Sequence, residues 1–572
     1  MIEKRAGGLA LLALASCLLR APNAAAAGHW VALQDKPGEG IGTMLLLPDG
    51  TVMAQGGGGG QTTANWYKLT PDSAGSYVNG TWTSRATANF TRLYYSSAVM
   101  QSGQVFFAGA EYGTGTTNVE VYDIVGDFWN IVNVPNGLIT KNNTLGKQNQ
   151  NTKGFIDSAC MLLSNGKVLV SPVSPANYGG TVLFDPATYQ LSAGPTLLNS
   201  VDTDEGGFVK LPDDSILVND RNSTKSERYI PSLNQWVQDA NLPVNLYDPY
   251  GAEQGPPILL PNGKVIYFGS TSRTAIYTPS GDNTPGTWVQ GPNIPAGLGM
   301  PDAPAAMMFN GKVLCAMSST PTSTNNVFPT PSYFYEYNYA SGAGGSFTQV
   351  SAPGGGLTDG NATFVMRMLD LPDGNVLFTD GGSQLYVYVP DGSPLAAGKP
   401  TIANITQNND GSFHLTGTLL NGISAGAAYG DDAQMDSNFP LVRASDSSGN
   451  VYYLRTFNWS STSVQTGNSQ VSTEFDASGL FPGNYSITVV ANGIASAPHS
   501  FKGPVWVDFG TVQPFQFGTE VFPYKTLGTA VAIVQAGGII NIKAGSSTET
   551  MKITKKMDIN AIGGVVRIGH GH

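Results

Sequence analysis

One short unit is repeated seven times along the chain. Each copy has two apolar runs around a turn written Pro-Asp-Gly, Asn-Gly or a close variant, such as "GTMLLLPDGTVMAQGG" and "QGPPILLPNGKVIYFG". Such a turn supplies the positive φ that a two-residue hairpin connection needs. The turn residues lie 48 to 63 positions apart: Gly50, Gly103, Gly166, Asp214, Gly263, Gly311 and Gly374. This period predicts a propeller of four-stranded blades rather than a helical solenoid.

A third strand follows each hairpin, and an aromatic residue marks a fourth strand in most units: Trp82, Trp129, Trp236, Trp288 and Phe347. The seventh unit has the third strand, "QLYVYVPDG", without an aromatic fourth strand. The segment "HWVALQ", residues 29–34, has the form of a fourth strand and precedes the first hairpin. We therefore predict that it completes blade seven, because ring closure removes an open sheet edge. Residues 28–398 are predicted to be the propeller.

The sequence changes character after the seventh unit. Residues 399–503 contain alternating strands with turn residues about every ten positions, which predicts an Ig-like β-sandwich. Residues 504–572 contain a short amphipathic helix near 524–533 and clipped β runs, and they resemble the first coil of a β-helix. A single coil cannot bury its own faces. Three alternatives stay open for this tail: it packs on the sandwich, it contacts another chain, or it is the remnant of a longer ancestor.

The N-terminus and the charge limit where the protein acts. Residues 1–27 combine Lys4-Arg5, an apolar run and four alanines, which is typical of a secretory signal. Two alternatives stay open, lipid attachment at Cys17 in a lipobox-like "LASC" or ordinary cleavage after Ala27. We expect a secreted or cell-envelope protein with no transmembrane segment. A net charge of −11 makes nucleic acid an unfavourable partner.

The blades with "LPDG" hairpins and the all-β domain after them resemble the kelch-type propellers of the galactose oxidase and glyoxal oxidase group. The resemblance spans residues 28–503 and is closest around Arg92, Tyr94 and Ser96. It implies one copper held by two tyrosines and two histidines, with one tyrosine linked to a cysteine and covered by a stacking aromatic. Tyr94 matches the linked tyrosine, and Tyr112 matches the stacking aromatic.

The other positions of that copper site differ here. Ile41 stands at the cysteine position, Phe364 and Val365 stand at an adjacent Tyr-His pair, and Gln434 stands at the last histidine. Phenylalanine and valine have no lone pair to donate to copper. We therefore expect a relative that kept the scaffold without a functional copper site, so that no redox cofactor is expected. Whether the protein is an enzyme stays open, because fold alone does not carry activity.

The residue nine positions before each turn begins the innermost strand and should surround the channel mouth. Around the ring these residues are Ile41, Tyr94, Asp157, Glu205, Gln254, Asp302 and Val365. Glu253 adjoins this ring, but strand alternation is expected to turn it away. Two positions further along, Arg367 is the one large residue, and we expect it to pair with an acid or a ligand. The predicted ligand-binding set is Arg92, Tyr94, Tyr112, Asp157, Glu205, Gln254, Asp302, Arg367 and Gln434.

Three functions remain compatible with this set. The first is binding of carbohydrate or another extracellular polymer, since convergent polar groups in a concave site select small polar ligands. The second is a non-redox enzyme that acts on sugars with a carboxylate pair. The third is a copper oxidase with a rearranged site. Calcium is an alternative occupant of the carboxylates, and each acid by itself could simply cap a neighbouring loop.

Overall fold

The computed structural model describes residues 28–140, 154–200, 202–221, 223–429, 434–436 and 438–569, with the backbone alone for 434–436. The predicted signal segment and Cys17 lie outside these ranges. The described chain is almost entirely β-structure, arranged as seven antiparallel blades of four strands, a two-sheet sandwich and a small parallel sheet; further strands extend the sheet of blade six to eight. This arrangement confirms the predicted all-β class, a seven-bladed propeller followed by an Ig-like sandwich.

The hairpin turns of the repeat organise every blade. All seven turn residues have positive φ, from 67° at Asp214 to 91° at Gly374. The expected two-residue connection is wrong, however. In blade one the Leu47 amide donates to the Thr51 carbonyl (2.8 Å), which leaves three residues in the loop, and the Gly50 amide closes a turn onto Leu47 (2.9 Å). This is the three-residue hairpin that ends in a left-handed residue.

The first four blades follow one another along the chain, and each runs from an inner strand at the channel to an outer strand. The strands of blade one are Met44–Leu46, Val52–Gln55, Trp66–Thr70 and Thr81–Ser84, and those of blade two are Ser96–Val99, Val105–Ala108, Val119–Asp123 and Phe128–Val132. Blade three consists of Ala159–Leu162, Val168–Ser171, Val182–Asp185 and Gln190–Ala193. Blade four consists of Val209–Lys210, Ile216–Asn219, Ser226–Ile230 and Gln235–Gln238. The inner strands are fully buried because they face the channel and the neighbouring blades.

The last three blades have the same order of strands. Blade five consists of Gln254–Leu259, Val265–Gly269, Thr274–Thr278 and Thr287–Gln290. Blade six consists of Pro304–Met307, Val313–Ser319, Ser332–Asn338 and Ser346–Val350. Blade seven consists of Arg367–Asp370, Val376–Thr379, Tyr386–Val389 and His29–Ala32. Short accessory strands flank some blades: Arg92–Leu93, Tyr112–Gly113, Leu298–Gly299 and Thr358–Asp359. Single 3₁₀ turns span Gly58–Gly60, Pro295–Gly297, Thr363–Val365 and Ala396–Gly398.

The N-terminal strand closes the ring, as predicted. His29–Ala32 pairs antiparallel with Tyr386–Val389, with His29 opposite Val389. Trp30 packs edge-on against Phe378 and Tyr388 of the same blade, at centroid distances of 5.1 and 4.9 Å. It also reaches Phe334 of blade six at 5.3 Å. The first described strand is therefore packed into the last two blades.

The sandwich packs against the hairpin-turn side of the propeller. Its first sheet consists of Thr401–Gln407, Phe413–Thr418, Gln470–Phe475 and Thr456–Phe457, and its second of Val451–Leu454, Leu441–Ser445, Gly483–Ala491, Ile494–Ala495 and His499–Gly503. Across the interface, the Gln465 side chain donates to the Leu260 carbonyl (2.8 Å), and the Lys210 ammonium donates to the Thr462 carbonyl (2.9 Å).

A hairpin of the sandwich domain, Gly426–Tyr429 and Gln434–Asp436, enters the central channel. Its first strand pairs antiparallel with Pro304–Met307, the inner strand of blade six, with Tyr429 opposite Pro304. Its second strand approaches the inner strands of blades one, two and three. The described strands of this hairpin therefore lie among the inner strands of the blades.

The C-terminal part forms a parallel sheet of Val505–Val507, Gly538–Ser547 and Met557–Ile568 beside the α-helix Leu527–Ile533. The Thr526 hydroxyl caps the helix by accepting from the Thr529 amide. This sheet packs on the sandwich, since the Gln407 side chain donates to Asn541 (3.1 Å) and accepts from Asn560 (2.6 Å). Packing on the sandwich is thus the alternative that the structure supports. None of the described helices has the length and apolar character needed to cross a bilayer.

Candidate functional site

A cavity of about 1050 Å³ opens at the end of the channel opposite the sandwich. Five carboxylates, five aromatic rings and one guanidinium contribute to its wall. The lining residues are Gly60, Gln61, Thr62, Leu93, Tyr94, Glu111, Tyr112, Asp157, Glu205, Arg221, Gly251, Glu253, Asp302, Phe328, Phe364 and Tyr429. Five of the nine predicted site residues lie in this wall: Tyr94, Tyr112, Asp157, Glu205 and Asp302.

An unusual backbone conformation directs four of these side chains into the cavity. Tyr94, Asp157, Glu205 and Asp302 begin their blades with φ of 50°, 36°, 60° and 43°. Positive φ is uncommon for residues other than glycine and costs about 1 kcal/mol or more. The same strained position therefore recurs in blades two, three, four and six, and each time it carries a polar side chain to the mouth.

The carboxylates form two overlapping groups. One oxygen each of Asp157, Asp204 and Glu205 lie within 4.8 Å of one another, and the same holds for Glu205, Glu253 and Asp302. Glu205 belongs to both groups. The acids of blades three, four, five and six therefore make one continuous negative surface, which the sequence predicted for three of the blades.

Arg221 is the one cationic side chain among the described residues of the cavity wall. Its guanidinium forms an ion pair with the buried Asp204 carboxylate. Burial acts to lower the pKa of Arg221, but the neighbouring charges of Asp204, Glu205 and Asp202 raise it above its ordinary value. The guanidinium therefore stays charged and is held on the side of blade four.

Two tyrosines form one side of the mouth. The Tyr94 hydroxyl donates to the Gly59 carbonyl (3.0 Å), and the Tyr94 and Tyr112 rings meet edge-on at 6.2 Å. Tyr112 is 50% exposed, so one ring face is open to a ligand. Burial of its hydroxyl and the nearby Glu111 carboxylate raise the pKa of Tyr112 to about 12. Tyr112 is therefore a neutral platform at physiological pH.

Two predicted arginines lie behind the wall and not in it. Arg92 is buried and forms an ion pair with Glu120 (2.8 Å). Arg367 is also buried, and its guanidinium lies 3.5 Å from the centroid of the Tyr429 ring. Its Nη1 donates to the carbonyls of Phe364 (2.7 Å) and Met366 (2.8 Å). Arg367 thus contacts Tyr429 and Phe364, two aromatic residues of the cavity wall, from the side away from the cavity.

Blade five departs from the expected register. Gln254 does not line the cavity, because its amide exchanges two hydrogen bonds with Asn219 (2.8 and 2.9 Å). A bulge follows Gln254, and the left-handed residue of this blade is Ala252. Glu253, which alternation was expected to turn away, faces the cavity instead. The backbone of Gln434 lies in the channel hairpin, and its side chain lies outside the described residues.

Several residues of the cavity wall could not be predicted from the sequence. Glu111, Arg221 and Phe328 lie in loops between strands, where no repeat aligns them. Phe328 packs against Phe364, with ring centroids 4.8 Å apart. The "GGGGG" segment, residues 56–60, was not assigned to the site either. There a Cβ on Gly59 would overlap the backbone of Val365, so this glycine permits close contact between blades one and seven.

The described residues around the cavity do not offer the set of tyrosine and histidine donors that a copper radical site needs. Every group of three or more potential ligands in the described chain consists of carboxylates. Phe364, at the position that the resemblance assigns to a tyrosine ligand, packs on Phe328. The described histidines, His29, His414 and His499, lie in the outer strand of blade seven and in the sandwich. Copper(II) prefers imidazole and similar donors, whereas an all-carboxylate set suits harder ions or polar ligands.

The fold and site define a seven-bladed β-propeller with an appended sandwich and an acidic cavity at the channel mouth. No family model and no curated protein matches the sequence. Among solved structures, a fungal alcohol oxidase of the AA5 family in complex with copper is similar at 14% identity and a TM-score of 0.49, over 84% of this chain and 99% of the other. A streptogramin B lyase is similar at 10% identity and a TM-score of 0.40, over 63% and 98%. At these values the activity of neither protein transfers to this chain.

Proposed function

We propose that the protein is a secreted or cell-envelope propeller that binds carbohydrate in the cavity at its channel mouth, without copper chemistry. The observation that carries this proposal is the convergence of five carboxylates and five aromatic rings on one cavity of about 1050 Å³. Carboxylate oxygens accept strong hydrogen bonds from hydroxyl groups. The exposed Tyr112 ring offers an apolar face of the kind on which a sugar ring stacks.

The size of the cavity favours a short oligosaccharide over a single sugar. Ligand pockets usually measure about 300 to 1000 Å³, and this cavity, at about 1050 Å³, is slightly larger. It is also open to solvent at the mouth, where Tyr112 lies, so that a longer polymer could continue outward. Secretion is supported by the signal-like residues 1–27 of the sequence.

The test is a glycan array followed by calorimetric titration of the best ligand. Glu205→Gln removes the carboxylate charge shared by both acidic groups, and we expect it to weaken binding by about tenfold or more. The matched control is Glu520→Gln, an exposed carboxylate on the C-terminal tail that contacts Lys543. Absence of any carbohydrate ligand for the wild-type protein would refute the proposal, as would equal affinities for the wild type and both variants.

A second candidate function is hydrolysis of the bound sugar without a metal. It is favoured by Glu205, Glu253 and Asp302, whose carboxylate oxygens lie within 4.8 Å of one another. Retaining glycosidases place two carboxyl groups about 5 Å apart. Release of reducing ends from the ligand, abolished by Asp302→Asn, would establish this function. Binding without any turnover would exclude it and leave the binding function in place.

A further inference from the structure

The charge of the cavity goes beyond what a neutral sugar requires. Among the described residues, its wall contains five carboxylates and one guanidinium, that of Arg221, which is paired with Asp204 just outside the wall. The buried Arg367 guanidinium lies 3.5 Å from the centroid of the Tyr429 ring and 6.0 Å from that of Tyr94, and it does not line the cavity. A cleft lined by one sign of charge concentrates ligands of the opposite sign.

The aromatic residues of the wall point to the same ligand charge. Tyr94, Tyr112, Phe328, Phe364 and Tyr429 line the same cavity as the carboxylates. The face of an aromatic ring attracts a cation placed within about 6 Å of its centroid. The described chain already contains such contacts, and the shortest joins the Arg367 guanidinium to the centroid of the Tyr429 ring at 3.5 Å. The exposed face of Tyr112 is open to a second cation.

Resting on the proposed function, we propose that the bound saccharide is cationic and carries protonated amino groups on its sugar rings. In this arrangement an ammonium group of the ligand lies between the Glu205, Glu253 and Asp302 carboxylates. The sugar ring stacks on Tyr112, and the hydroxyl groups donate to the remaining acids. The ammonium donates up to three hydrogen bonds, which matches a group of three carboxylates.

The test compares three tetrasaccharides with the same β-1,4 backbone and different groups at C2: an amine, an acetamide and a hydroxyl. They are the tetramers of glucosamine, N-acetylglucosamine and glucose, and each is titrated calorimetrically into the wild-type chain at about pH 6. We expect the glucosamine tetramer to bind at least about tenfold more tightly than the other two. This preference should shrink at about 0.5 M salt, because salt screens the attraction.

Two substitutions test whether the preference for the amino sugar arises in the cavity. Glu253→Gln and Asp302→Asn each remove one charge from the three-carboxylate group, and each should reduce the preference for the amine more than the affinity for the glucose tetramer. Glu520→Gln should change neither value. Circular dichroism spectra identical to that of the wild type establish that each variant is folded, and the salt dependence of the wild type tests the proposal without any variant.

The outcomes separate this inference from the proposed function. Equal affinity for the three tetramers would overturn the cationic ligand and leave carbohydrate binding standing. No binding of these tetramers or of any array glycan would overturn both. Spermine binding as tightly as the glucosamine tetramer would overturn the saccharide part of the inference. Binding of the glucosamine tetramer only in the presence of Ca²⁺ would assign the carboxylates to a metal ion and would also overturn it.

Discussion

Replacement of Trp30 by alanine tests how the ring is held closed. The indole packs on Phe378 and Tyr388 within blade seven and on Phe334 of blade six, at 4.9 to 5.3 Å. Its Nε1 donates to the Ser351 carbonyl (2.6 Å). The substitution therefore removes three aromatic contacts and one hydrogen bond that joins the outer strand of blade seven to the chain after blade six.

The magnitude follows from these contacts. Removal of a large buried aromatic side chain costs about 3 to 5 kcal/mol, and Trp30 is partly exposed, which places it at the lower end. Each aromatic pair contributes about 0.5 to 1.5 kcal/mol beyond its buried area, and the hydrogen bond adds about 1 kcal/mol. We expect Trp30→Ala to lower the free energy of unfolding by about 3 kcal/mol.

The assay combines calorimetric unfolding with amide hydrogen exchange. Trp288→Ala is the matched control, because Trp288 has the same position in blade five and packs on Tyr267 and Tyr277 at 5.3 and 4.9 Å. Both variants should unfold at lower temperature. Only Trp30→Ala should accelerate exchange in Tyr386–Val389, the strand that pairs with His29–Ala32. Unchanged exchange there, or a loss below about 0.5 kcal/mol, would refute the closure argument.

Further predictions concern the mouth and one buried acid pair. Gly59→Ala should destabilise the protein by about 1 to 3 kcal/mol in chemical unfolding, because the added Cβ overlaps the backbone of Val365; unchanged stability would contradict this close contact. Tyr112→Ala should weaken saccharide binding by about fivefold to tenfold without changing the melting temperature, since the ring is half exposed; unchanged affinity would exclude stacking. Burial, together with the hydrogen bond and charge of Asp220, raises the pKa of Glu227 to about 8. A carboxyl group with a raised folded-state pKa stabilises the protein most below its unfolded pKa near 4.5 and loses this contribution as the pH rises to about 8. Asp220→Asn should therefore flatten the decrease in unfolding free energy between about pH 5 and 8, and parallel pH profiles would contradict it.

The fold could be predicted because its signals are local. The turn residues, including Asp214 in place of glycine, all adopt the positive φ that the repeat requires. The N-terminal strand was identified because blade seven lacked one. The predicted length of the hairpin loops was wrong, because the same dipeptides occur in two-residue and three-residue hairpins. Which of the two forms depends on the pairing of the flanking residues, such as Leu47 with Thr51.

The site could be predicted only where the repeat continues into it. Asp157, Glu205 and Asp302 lie at equivalent positions and reach the cavity together. In blade five the bulge after Gln254 shifts the register, so Glu253 replaces Gln254 at the wall. Arg367 keeps its place in the repeat but packs under Tyr429, which comes from a sequence-distant hairpin of the sandwich. Long-range pairing of this kind leaves no periodic pattern.

The most direct test of the central claim is a crystal structure of the protein soaked with the glucosamine tetramer. The account predicts saccharide density in the channel-mouth cavity, in contact with Glu205, Glu253 and Asp302 and beside the Tyr112 ring. Density located instead on another surface, such as the exposed aromatic rings of Phe481 and Phe515, would contradict it. So would an empty cavity under conditions where the tetramer binds in solution.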